Sequence, residues 1–217
     1  MQKVRTNFTP IKNGFKFENS FDFPDFFEFK LPIIRVAPIF LDDMVYGLCG
    51  GMCFASLDYF NAGNTLPKYT DPDDISLKLF QYLWERQLKS LSSSVVRKVF
   101  KWMILDDNLL ARSVNQYEIP KLKKKLDSSQ PAVLALIRVK WITSPTKNHQ
   151  VLATGYDFDP VTHDMTVYIY DPNHPREEHT ISMNLSKPSQ GIDLIQSSGE
   201  KLRGFFLIDY TKHTPPS

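Results

Sequence analysis

The chain has 217 residues, 42% of them hydrophobic and 23% charged, enough for one good-sized hydrophobic core or at most two small ones. These proportions exclude disordered and coiled-coil classes, and 26 basic against 24 acidic residues give no reason to expect a nucleic-acid or anionic-membrane partner. No apolar run approaches the ~20 residues that cross a bilayer, and no apolar stretch follows the basic start as in a secretory signal, so a cytoplasmic, reducing location is expected.

Residues 1–40 are Phe-rich, alternate locally as in Phe15-Lys16-Phe17-Glu18, and are broken by Pro10, Pro24, Pro32 and Pro38. That pattern predicts short strands or an extended layer that completes the core. The glycine-rich stretch Tyr46–Gly51 leads into a run that is apolar around most of a helical circumference, so a deeply buried helix is expected over 48–62, with Asn61-Ala62-Gly63-Asn64 as its stop. A helical part follows over 71–126. Its first helix is expected to open at Asp71-Pro72-Asp73-Asp74 and to carry Ile75, Leu79, Leu83 and Phe80, Trp84, Leu88 on one face. Ser92–Ser94 separate it from a basic amphipathic helix near Val95–Met103, read as a solvated face beside core, and Ile119–Leu126 reads as a short helix with Lys123–Lys125 on its wet side.

After Pro131 the pattern changes to strands. Ala132–Val139, Val151–Tyr156, Met165–Tyr170, His179–Met183 and Gly204–Tyr210 follow at hairpin-like intervals, with Asp157-Phe158-Asp159-Pro160 and Asp171-Pro172-Asn173 as turns. The layout is therefore α+β, N-terminal helices on a C-terminal antiparallel sheet over 131–210, in one domain spanning 1–217. Residues 211–217 read as a frayed tail.

Three features bear on chemistry. Cys49 stands at a Gly-Gly turn that opens the buried helix, where the helix N-terminus stabilises a thiolate and free N–H groups can bind a developing oxyanion. His149 begins a strand next to a polar loop. If that strand and the one from Met165 form a hairpin, Asp171 returns beside His149 and can hold one ring nitrogen while the other faces a thiol. Cys53, one turn on, is the alternative nucleophile, with Gly50-Gly51 then serving as its anion-binding loop. Two cysteines exclude a disulfide framework, the five histidines show no ligand spacing, and neither metal nor cofactor is implied.

The segment Asn148-His149-Gln150-Val151-Leu152-Ala153-Thr154-Gly155-Tyr156 resembles the histidine strand of papain-like cysteine peptidases. Cys49-Gly50-Gly51-Met52-Cys53-Phe54-Ala55 resembles the helix start of the bacteriocin-leader (double-glycine) peptidases, in which an Asp-Pro also follows the strand after the His, as Asp171-Pro172 does here. The resemblance covers about residues 45–60 and 130–175. It implies a papain-like fold with Cys49 as nucleophile, His149 as general base and then acid, Asp171 as orienting group, and a peptide or protein substrate. The chain departs from the family in having no Gln among Leu41–Tyr46, where a side-chain oxyanion donor usually stands; Asn148 and Tyr46 are the candidates in its place. Cys49 and His149 are a hundred residues apart, closer to the smaller leader-peptidase plan than to papain itself. A thiol hydrolase is therefore expected. The same nucleophile could serve acyl transfer or glutamine deamidation, and an inactive binding module on this scaffold is the contrasting expectation.

Overall fold

A computed structural model describes residues 1–21, 47–140, 145–187 and 192–216. The expectations for residues 22–40 and for Tyr46 lie outside the described residues. In chain order the elements are β1 (Gln2–Arg5), α1 (Pro10–Asn13), α2 (Cys49–Ala62), α3 (Leu77–Ser90), α4 (Ser93–Ile104), α5 (Asp107–Ser113), α6 (Ile119–Asp127), β2 (Ala132–Ile137), β3 (His149–Phe158), β4 (Asp164–Tyr170), β5 (His179–Asn184), β6 (Leu194–Gln196), β7 (Lys201–Leu202) and β8 (Gly204–Ile208). This is the expected helices-then-sheet order, an α+β arrangement with a curled antiparallel half-barrel.

The strand order is β7-β6-β5-β4-β3-β2-β8, with β1 added to β3 beyond the span that β2 covers. β3 and β4 pair antiparallel with Leu152 opposite Tyr170, and the register shifts between Ala153 and Gly155. That shift leaves Thr154 as the extra residue of a bulge, which bends the strand. β8 returns from the chain's end to pair with β2, closing the side of the sheet away from β5. A first apolar cluster joins the sheet to α4–α6 and one side of α2. A second joins Phe15 and Phe17 to Leu48, Met52, Ala55 and Tyr59 of α2 and to Leu79, Phe80 and Leu83 of α3. Phe8, Phe15 and Phe17 of the N-terminal segment thus complete the core as expected, although Pro10–Asn13 form one helical turn where extended chain was expected.

Two local readings are corrected, and one stretch of the expected helical part is filled in. The acidic stretch at 71–74 does not open α3: Asp71 accepts from the Asp73 N–H and closes a separate 3₁₀ turn over Pro72–Asp74, and Ser76 caps α3 instead. The residues between α4 and α6 are helical too, as α5 and a π turn over Val114–Glu118 that had no apolar stripe long enough to read. The C-terminal residues are anchored rather than frayed, since Arg86 donates to the Thr211 carbonyl, His213 N–H to Asp58, and the Tyr59 hydroxyl to the Pro216 carbonyl. Among the described residues, no helix is long and apolar enough to cross a membrane.

Candidate active site

α2 begins at Cys49, so the thiol occupies the first helical residue and Gly50 and Gly51 lie inside the helix. Their lack of a side chain has a packing cause. A Cβ on Gly51 would stand 2.2 Å from the Leu83 carbonyl of α3, and one on Gly50 would meet Ser90 Oγ at 2.2 Å and Gln150 Oε1 at 2.4 Å. The helix start is therefore pressed against α3 and β3, which seats Cys49 beside the first residues of β3.

The unpaired N–H groups of this helix start have distinct partners. Leu48 N–H donates to Asn19 Oδ1 at 2.6 Å, Gly51 N–H to Gln87 Oε1 at 2.7 Å, and Met52 N–H makes the first intrahelical bond, to the Leu48 carbonyl. The Gly50 N–H faces the Cys49 sulfur. The Cys49 N–H has no partner among the described residues, leaving a donor beside the thiol for a developing negative charge.

His149 is the first residue of β3, and its Nε2 lies 2.6 Å from Asp171 Oδ1. The other ring nitrogen, Nδ1, is then left for Cys49, which lies close enough that each side chain shifts the other's ionisation. The hairpin of β3 and β4 is what brings Asp171 back, one residue beyond the Tyr170–Leu152 pair. All three expected residues are gathered: Cys49 is 9% exposed, His149 4% and Asp171 0%. Asp171 is further held by Asn173 N–H to Oδ1 at 2.9 Å and by Gln196 Nε2 to Oδ2 at 2.6 Å.

The electrostatics follow from these contacts. Burial alone would push the Cys49 thiol up, but the His149 charge and hydrogen bond, with the N–H groups of Gln150 and Gly50, outweigh it and hold the thiol below its ordinary range. Burial would lower His149, yet the Asp171 and Cys49 charges and their hydrogen bonds raise it to about 9. Burial works against the Asp171 carboxylate as well, and the imidazolium with two further donors still holds it well below the usual range. Cys53 shows the opposite balance. Burial, followed by the Cys49 and Asp171 charges, pushes its thiol well up, and its Sγ points at the Gln150 carbonyl 3.7 Å away. Of the two cysteines, it is Cys49 that meets the imidazole.

Asn148 does not supply a free amide: its Oδ1 accepts from Arg138 N–H and its Nδ2 donates to the Pro145 carbonyl. Asn19 is a further carboxamide at the cleft that the sequence did not reveal, and it too is committed to neighbours. It lines the cleft with Cys49 and His149, and its Nδ2 donates to Asn173 Oδ1 at 3.0 Å. It therefore ties the turn after Asp171 to the residue before Cys49. Gln196 was likewise invisible in the sequence, because the three-residue strand that carries it has no periodicity to read. The cleft above Cys49 measures about 250 Å³. Among the described residues, no three His, Cys, Asp or Glu side chains are disposed to hold a metal ion.

Comparison with protein-family models, curated proteins and solved structures gave no match to this chain.

Proposed function

We propose that the protein is a cysteine peptidase-like thiol hydrolase of papain-like architecture that cleaves peptide or amide bonds through an acyl-enzyme at Cys49. The observation that carries this reading is the buried relay in which the Cys49 sulfur meets an imidazole whose far nitrogen is held by Asp171 at 2.6 Å. The Cys49 thiolate attacks the substrate carbonyl carbon, and the carbonyl oxygen takes the negative charge toward the Cys49 N–H. As the tetrahedral species collapses, the C–N bond breaks and the amine leaves with the proton from His149 Nδ1. His149, now neutral, takes a proton from water; the hydroxide equivalent attacks the thioester, and the acid product departs as the Cys49–His149 pair re-forms. Asp171 keeps the ring's tautomer and orientation throughout, and its own proton affinity is too low for it to take the proton.

The choice of acceptor depends on what enters the cleft, so acyl transfer and glutamine deamidation use the same first half-reaction. A lowered Cys49 pKa argues against an inert binding module, in which a buried thiol would stay protonated as Cys53 does. The test is alkylation of the folded protein by iodoacetamide, with the modified residue found by mass spectrometry. Labelling confined to Cys49, and lost in His149→Ala at neutral pH, is expected. Two unreactive cysteines, or labelling of Cys49 indifferent to His149, would overturn the proposal.

A further inference from the structure

The charges on the wall of the Cys49 cleft are of one sign. Arg138 and Lys147 line it, no Asp or Glu stands among its described lining residues, and Asp171 is buried behind the imidazole. The rest of its polar wall consists of neutral carboxamides, of Asn19, Gln87, Asn148, Gln150 and Asn173. Arg138 directly follows β2, and Lys147 ends the turn before β3. Leu136 pairs with His149 across these strands, so both cations sit at the imidazole's end of the ladder.

Neither cation is fully matched. One Arg138 nitrogen bridges to Glu200 at 2.7 Å, but its Nε is buried without an acceptor. Lys147 is exposed and has no carboxylate partner among the described residues. One acidic side chain against two basic ones leaves the wall positive. A carboxylate placed against these two cations is attracted by their charge and can accept charge-assisted hydrogen bonds from them.

We propose that this wall is a carboxylate subsite, and that the protein acts on acidic peptides, with an Asp, Glu or terminal carboxylate adjoining the carbonyl that Cys49 attacks. The inference rests on the reading of Cys49 as nucleophile. The subsite shares one small cleft with the sulfur, so the carboxylate that it takes lies within about one residue of the scissile bond.

Iodoacetate and iodoacetamide test it. Both alkylate by the same step, in which the sulfur bonds to the methylene carbon as the carbon–iodine bond breaks and iodide leaves, but only iodoacetate carries a carboxylate. The quantity read is the ratio of their second-order rates at Cys49. The His149 imidazolium itself favours iodoacetate, so the comparison is between variants. In Lys147→Glu and in Arg138→Gln the ratio is expected to fall about threefold or more, as expected for a charge change at contact distances in a partly wet site. In the unmodified protein the ratio is expected to fall as salt is raised. Lys68→Glu makes the same charge change beside the far end of α2, next to Gly63, and is expected to keep the starting ratio. A ratio untouched in Lys147→Glu and Arg138→Gln, with Cys49 still reacting, overturns the subsite alone. A Cys49 inert to both reagents overturns the nucleophile reading and the subsite with it.

Discussion

Two ionisations set the pH range in which Cys49 can act. The thiol is held below its ordinary value, so the thiolate persists below that value and disappears as the pH falls through the lowered one. His149 is raised to about 9, so the imidazolium, which in the proposed mechanism protonates the leaving amine, persists up to that pH and is lost above it. A bell-shaped dependence of kcat/KM, with its alkaline limb near pH 9, is expected from stopped-time assays across pH 4–11. Asp171→Asn removes the charge that raises His149, so the alkaline limb should move to lower pH; a limb that stays in place would show that Asp171 does not set it. Gln196 acts through Asp171. Gln196→Leu leaves Asp171 Oδ2 without its buried donor, at a cost of about 1–3 kcal/mol in urea unfolding. If Gln196 also orients the carboxylate, the alkaline limb shifts downward in this variant, whereas a purely structural role lowers stability and leaves the limb unchanged. His149 and Asp171 could be read from local sequence because each sits at the end of a strand that the apolar pattern marks, whereas Cys49 was read from the glycines beside it, with Cys53 kept as the alternative. Asn19 and Gln196 could not, because their roles come from side-chain contacts across 29 and 25 residues of chain that no local pattern encodes.

Among the elements, α2 and its packing on α3 decide whether the thiol is presented. Gly51 is at the closest approach, with the Leu83 carbonyl where a Cβ would go. Backbone cannot swing aside as a side-chain tip can, so Gly51→Ala forces the two helices apart and should cost about 3 kcal/mol or more. Gly63 ends the same helix at φ 71 with open space around it. Gly63→Ala should cost only the left-handed backbone penalty, about 1–2 kcal/mol. Urea unfolding of both variants checks the order, and equal losses would show that the interhelical contact is not tight. The buried helix was legible because nearly every residue from Met52 to Tyr59 is apolar, and β2 because Ala132–Ile137 is an unbroken apolar run of strand length. The helix beginning was less so. The glycines read as a turn before the helix or just after its first residue, and only the proximity of α3 explains why they continue inside it. β6 and β7 were missed because three and two residues carry no period, and β8 was found as a strand but not as the partner of β2, since pairing across some seventy residues leaves no mark in either segment.

The molecule as a whole is joined at a point remote from the thiol. Asp58 lies in α2, fully buried, and accepts from the Tyr82 hydroxyl at 2.8 Å, the Tyr210 hydroxyl at 2.6 Å and the His213 N–H at 2.7 Å. Arg86 Nε stands 2.7 Å from Asp58 Oδ2 and its Nη2 donates to Asp58 Oδ1 at 3.4 Å, while Arg86 also donates to the Thr211 carbonyl at 2.8 Å. A single carboxylate thus fastens α2 to α3 and to the segment that follows β8. Tyr210 also stacks edge-on against Phe54 of α2, which couples this joint to the sheet-side core. In Asp58→Ala the guanidinium stays buried with no opposite charge, so a loss of about 3–5 kcal/mol is expected. Arg86→Met leaves the carboxylate with its tyrosines and one N–H, and should cost less. The double variant removes both charges together, and its loss should fall well short of the sum of the two single losses, since the penalty of each orphaned ion vanishes with its partner. Urea unfolding of the four proteins measures this coupling. Additive losses would mean that Asp58 works through its hydroxyl and N–H donors alone, and that the ion pair does not hold α2 to the chain's end.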